Sequence, residues 1–235
     1  LNGSISIEGG AVYTNSTTVL LTLGASGATQ MRFKNEAAGN WSSYETFSPD
    51  RNWILPNTQG VRTVYVQFKD MAGNETDGGT KDSITFDSQA PTALSIEMNG
   101  GASYTNTTIV ELALAATGAS QMQFKNGATG SWSGYEPYAT TKSWTLANSE
   151  GNRTVYVQFR DLAGNETTGS TCDTIILDTI SPVEPVLTSP TNGFFTNDDT
   201  PGFAWGSVSG ANSYRIQVAN NATFTSPVVD ATVTS

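Results

Sequence analysis

The chain has 235 residues, 21 acidic against 11 basic side chains for a formal net charge of -10, no histidine and a single cysteine. That balance repels nucleic acid and anionic membrane surfaces, the lone Cys172 excludes an internal disulfide, and the missing imidazole removes the commonest general base and metal ligand. Charged residues make up only 14% and Thr, Ser, Asn and Gly dominate the polar remainder, a composition of short strands joined by turns rather than of helices.

In chain order, a Gly9-Gly10 turn precedes Val19, Leu21 and Leu23, whose period of two marks one face of a strand. Met31 and Phe33 alternate with Gln30, Arg32 and Lys34, and a Gly39-Asn40 turn leads into the segment Asn40-Trp41-Ser42-Ser43-Tyr44-Glu45. Trp53 and Leu55 are predicted core residues. Val64, Val66 and Phe68 are predicted to face inward, with Tyr65, Gln67 and Lys69 outward. Asp70-Met71-Ala72-Gly73-Asn74 and Gly78-Gly79 supply the last turns.

The whole pattern then returns with a period of 91. Met31 and Phe33 recur as Met122 and Phe124, Trp41 and Tyr44 as Trp132 and Tyr135, Trp53 as Trp144, and Arg62 through Phe68 as Arg153 through Phe159. Leu20 becomes Glu111 between conserved apolar neighbours, so that face is solvent. About seven strands in about 90 residues fit a two-sheet sandwich, with a small closed barrel as the competing fold. The expected domains are 1–91, 92–182 and 183–235.

After the stiff segment Ser181-Pro182-Val183-Glu184-Pro185 the register changes. Phe203-Ala204-Trp205 and Ser213-Tyr214-Arg215-Ile216-Gln217-Val218 read as two facing strands of an incomplete third sandwich, expected to be finished by further chain or by a neighbour. No apolar run reaches the roughly 20 residues that span a bilayer, so direct membrane insertion is not expected. Any export or anchoring signal is expected outside the given residues.

The corners Asp70 to Asn74 and Asp161 to Asn165, with the linkers Asp87-Ser88-Gln89-Ala90-Pro91 and Asp178-Thr179-Ile180-Ser181-Pro182, resemble bacterial immunoglobulin-like repeat modules of large surface and secreted proteins. Residues 183–235 resemble the first half of a fibronectin type III-like module, with Trp205 as its core tryptophan. The resemblance implies an all-β, elongated array of tandem immunoglobulin-like sandwiches. It further implies a spacer or stalk in an extracellular or bacterial cell-surface protein, such as an adhesin, surface-layer or filament subunit. The other function weighed is an accessory, glycan-binding region of a secreted polysaccharide-degrading enzyme. Catalysis is not expected, because the abundant Ser and Thr hydroxyls have no His base and no carboxylate pair is spaced for a cleft.

Two sites follow. In such a sandwich the Asp161 corner of the second module faces the exit of the first, so Asp87, the linker carbonyls near Ser88 and Gln89, Asp161 and Asn165 are candidate oxygen ligands for inter-module Ca²⁺. Asp178 and Asp70 are the matching half-sites toward other modules. The competing reading is that Asp70 and Asp161 only cap their own turns. Trp41, Tyr44, Trp132 and Tyr135 are candidate platforms for surface glycans, against the simpler reading that they cover the side of the sandwich. The expected partners are neighbouring modules, other subunits and glycans, and not nucleic acid.

Overall fold

The structure, a computed structural model, describes residues 2–234. The chain divides into two compact units, residues 1–178 and 179–235. Within the first unit the 91-residue repeat folds twice in the same way, each copy as two facing sheets.

The first copy contains β1 (Gly3–Ile7), β2 (Tyr13–Thr14), β3 (Thr18–Ala25), β4 (Ala28–Asn35), β5 (Glu45–Thr46), β6 (Asp50–Ile54), β7 (Gly60–Asp70) and β8 (Thr80–Phe86). A three-stranded sheet β1-β3-β6 faces a five-stranded sheet β2-β8-β7-β4-β5. The second copy contains β9 (Thr92–Met98), β10 (Tyr104–Thr105), β11 (Ile109–Thr117), β12 (Gln121–Asn126), β13 (Glu136–Pro137), β14 (Thr141–Thr145), β15 (Gly151–Arg160) and β16 (Thr171–Leu177). Its sheets are β14-β11-β9 and β10-β16-β15-β12-β13.

The alternation read from the sequence sets the inner faces. Ile7, Leu21, Phe33, Val64, Val66 and Phe68 are fully enclosed in the first copy, and Met98, Leu112, Phe124, Val155, Val157 and Phe159 in the second. Each such side chain contributes about 1.5–3 kcal/mol on burial. Trp53 and Trp144 depart from expectation, because they are only half-buried. They sit on the edge strands β6 and β14, with their rings against Phe33 and Phe124 at 5.1 and 5.3 Å. The indole N–H of each must find a partner, and donates to Asn35 Oδ1 at 2.8 Å or Asn126 Oδ1 at 2.9 Å.

Each copy's N-terminal stretch belongs to both sheets. β1 pairs antiparallel with β3, while β2 crosses over to pair parallel with β8. One carboxylate ties the crossing together: Asp82 Oδ2 on β8 accepts the Ile7 N–H at 2.8 Å, and Asp173 Oδ2 accepts the Met98 N–H at 2.7 Å.

The second unit holds β17 (Leu187–Ser189) paired with β18 (Ala204–Trp205), and β19 (Ser213–Val218) paired with β20 (Val229–Thr234). None of its described residues is buried. Trp205, expected in a core, is half-exposed and leans on Tyr214 at 5.6 Å, because two two-stranded ribbons offer no facing sheet to enclose it. Across β19 and β20 the Arg215 guanidinium grips Asp230 at 2.6 and 2.8 Å, which holds that carboxyl down at about 2. Among the described residues no helix is long and apolar enough to cross a membrane.

Candidate functional site

The Asp-x-Ala-Gly-Asn corner follows β7 in one copy and β15 in the other. In the first, Asp70 Oδ1 accepts the Asn74 N–H at 2.9 Å and Oδ2 accepts Asn74 Nδ2 at 2.8 Å. These donors stabilise the charged form and hold the Asp70 carboxyl below the usual carboxylate range. In the second, Asp161 accepts the Asn165 N–H and Asn165 Nδ2, both at 2.8 Å. Both aspartates therefore cap their own turns.

What differs is the surroundings. Asn165 Nδ2 also donates to the backbone carbonyl of Asp87, 78 residues away, at 2.8 Å. The Asp87 N–H in turn donates to the Thr14 carbonyl at 2.9 Å, so one residue closes the first copy and receives the second. A Cβ added at Gly164 would lie 3.8 Å from Asn15 Nδ2, whereas one at Gly73 would meet nothing within 4 Å. Asp161 is buried while Asp70 stays half-exposed, and Asn165 is half-buried while Asn74 is exposed. The same hairpin thus shows two environments, and the end of the preceding copy accounts for the difference.

Asp87, Asp161 and Asn165 meet through the Asn165 amide. Asp87 offers its backbone oxygen, while its carboxylate turns to the Gln89 N–H at 3.0 Å. The Asn165 amide nitrogen lies between the Asp87 carbonyl and the Asp161 carboxylate. Asp178 closes the second copy as Asp87 closes the first, its N–H donating to the Thr105 carbonyl at 2.9 Å. Among the described residues no three Asp, Glu, His or Cys side chains gather around one point where an ion could sit.

The aromatic segments run beside β4 and β12 and carry their rings over the outer face of the five-stranded sheets. Ser42 anchors the first by donating its N–H to the Phe33 carbonyl at 2.7 Å and accepting the Phe33 N–H on Oγ at 3.0 Å. Ser133 repeats this against Phe124. The Trp41 ring rests against Gly78 and Trp132 against Gly169, where a Cβ would come within 3.0 and 2.9 Å of the indole. Gln67, on the outward side of β7, is buried beneath this cover.

Each ring meets a cation. The Arg32 guanidinium is 4.5 Å from the Tyr44 ring centre, Lys34 Nζ is 5.0 Å from that of Trp41, Lys125 Nζ is 4.8 Å from that of Trp132, and Arg160 is 3.9 Å from that of Tyr135. Such contacts contribute about 0.5–1 kcal/mol each at exposed sites. Sequence parity placed Arg32, Lys34 and Lys69 outward. Their meeting with Trp41, Tyr44 and Tyr65 depends on strand register, which parity does not give.

The Tyr44 and Tyr135 hydroxyls are enclosed without a well-formed hydrogen bond. Burial first, and then the neighbouring Glu166 carboxylate, pushes Tyr135 up to about 12. The folded state favours the neutral phenol, so Tyr135's contribution to stability is complete below about pH 10 and is lost as pH rises from there through about 12. In an absorbance titration of the eight tyrosines, one phenolate is expected to appear about two pH units late, and Tyr135→Phe is expected to abolish that step. A late step that survives Tyr135→Phe would assign it elsewhere.

No family model matches the chain, and no curated protein matches it in sequence. Among solved structures it is similar to the fibronectin(III)-like modules of Clostridium thermocellum CbhA, with 13% identity and a TM-score of 0.47 over 74% of this chain and 92% of that one. It is also similar to the FN1–FN3 domains of chicken CNTN1, with 11% identity and a TM-score of 0.45 over 75% and 67%. The BSP domain of a biofilm-associated protein gives 14% identity and a TM-score of 0.27 over 74% and 29%. The repeats are immunoglobulin-like β-sandwiches. Each has two facing sheets, antiparallel but for one short parallel strand, with an N-terminal segment that changes sheet.

Proposed function

We propose that this chain is a spacer segment of a longer extracellular or cell-surface repeat protein of bacterial type, whose work is to hold neighbouring domains at a set distance and angle. The supporting observation is the joint. Asn165 reads the Asp161 carboxylate of its own module and the Asp87 carbonyl of the preceding one, which makes the last hairpin of the second module a socket for the exit strand of the first. Interfaces between tandem domains are otherwise small and mobile. A directional hydrogen bond in a partly buried site adds about 0.5–1.5 kcal/mol and fixes an angle, which apolar contact alone does not.

The test uses Asn74 as an internal control, since among the described residues it caps the same hairpin and bonds only Asp70 of its own module. Residual dipolar couplings are expected to report one shared alignment for the two modules in the unmodified chain and in Asn74→Ala. Two independent alignments are expected in Asn165→Ala. Independent alignments already in the unmodified chain would overturn the proposal. The same samples with millimolar Ca²⁺ or chelator test calcium at the joint: a chelator-induced loss of shared alignment would assign the ion a place beside Asn165, and unchanged couplings would leave the joint to contacts of the chain itself.

A further inference from the structure

The outer face of the five-stranded sheet differs in charge between the two modules. Lys34, Tyr65 and Lys81 are direct cross-strand neighbours on β4, β7 and β8. Their ammonium groups lie 5.0 and 5.5 Å from the Tyr65 ring centre, one on each side along the rung. Arg32 and Lys69 continue the array around Trp41 and Tyr44, at 5.3 and 4.9 Å. Four of the chain's 11 basic residues thus share one face with three aromatic rings. The carboxylate that pairs with this array is Glu75, 3.8 Å from Arg32 and 3.4 Å from Lys69. Four cations less one acid leave an excess of three positive charges. In the second module the four positions are Gln123, Lys125, Arg160 and Cys172, and Glu166 approaches Arg160 at 3.7 Å.

The chain as a whole is at -10. At physiological salt, however, the screening length is about 8 Å, so a ligand lying on this face responds to the local excess rather than to the distant acids. The face is a flat sheet surface, with indole and phenol planes alternating with ammonium groups. Flat rings suit the apolar faces of pyranose units, and the lysines between them suit charged substituents on those units.

We infer that the first module binds an acidic polysaccharide, carboxylated or sulfated, across Lys34, Tyr65, Lys81 and Trp41, and that the second module does so far more weakly. Lys34 and Lys81 carry the charge contacts. Trp41 carries the stacking, and Tyr65, flanked by the two ammonium groups, holds them in place. A peptide would need an unpaired strand edge or a groove, and Lys34–Tyr65–Lys81 lies across three paired strands.

Affinity electrophoresis of the whole chain tests this, in gels containing polygalacturonate, chondroitin sulfate, neutral dextran or polyglutamate. Retardation is expected in at least one of the first two and not in dextran or polyglutamate, and the polymer that retards identifies the acid group read. The double variant Lys34→Ser/Lys81→Ser is expected to weaken apparent affinity about ten-fold while staying folded at the temperature of the gel, its melting lowered only by the lost cation–π contacts. Cys172→Lys, which restores one of the two cations missing from the second module, is expected to strengthen it. No retardation in either acidic glycan, equal retardation in polyglutamate, or an unchanged affinity in the double variant would each overturn the inference.

Discussion

Phe124→Ala is expected to make the second module melt well ahead of the first, so that a single calorimetric transition separates into two. Phe124 is fully enclosed, lies opposite Val157 across the β12–β15 pair and packs its ring on Trp144 at 5.3 Å. Truncating such a phenylalanine removes its transfer energy and leaves a cavity that a rigid sandwich fills poorly, a loss of about 3–5 kcal/mol. Domains of this size have about 5–15 kcal/mol in all, and each kcal/mol shifts the melting temperature by about 4–8 °C. Phe33→Ala is expected to move the first module by a similar amount, because Phe33 lies opposite Val66 and packs on Trp53 as Phe124 does with Val157 and Trp144. If instead both modules shift together in either variant, the two sandwiches unfold as one unit and the Asp87–Asn165 joint couples them more strongly than one hydrogen bond can.

Asp173→Ala comes second in magnitude. Its carboxylate accepts the N–H of fully buried Met98 at 2.7 Å with one oxygen and its own neighbour, the Thr174 N–H, at 2.7 Å with the other. Alanine leaves the Met98 N–H buried without an acceptor, and hydrogen bonds to charged groups are worth about 1.5–3 kcal/mol. Urea unfolding is expected to show that loss. Hydrogen exchange is expected to localise it, with the Met98 amide losing protection while the β11 amides keep theirs. Asp82→Ala is expected to do the same to Ile7 in the first module. Protection at Met98 that survives Asp173→Ala would mean that β9 is held by β11 alone.

The sandwich fold was legible because the repeat and the period-two alternation constrain one another. A strand face assigned from Val19, Leu21 and Leu23 is checked independently by Val110, Leu112 and Leu114, and Glu111 marks the wet side. The Asp161 corner could be placed at the exit of the first module from the chain path of an immunoglobulin-like sandwich. The atoms it uses could not. Side-chain spelling pointed to the Asp87 carboxylate, whereas the contact is made by its backbone carbonyl, which every residue possesses. Asp82 and Asp173 were likewise overlooked, because an acid between polar neighbours on a half-buried strand looks like solvent-facing charge. Only the crossing of β1 and β9 brings a buried N–H to each. The cationic array escaped because Lys34, Tyr65 and Lys81 are far apart in sequence and meet through register alone.

The parallel pairing of β2 with β8 has a mechanical meaning. A pull on the two ends of a module drags β2 toward its N-terminus and β8 toward its C-terminus, along the same line in opposite directions. The bonds that join them, Thr85 N–H to Val12 and Asp87 N–H to Thr14, both at 2.9 Å, lie across that line and are strained together rather than one after another. The second module repeats the arrangement through Ile176 N–H to Ser103 and Asp178 N–H to Thr105, at 3.0 and 2.9 Å. Tension is thus met in shear. Because the Asp87 peptide also receives Asn165, the patch that resists rupture in one module is also the place where load passes to the next.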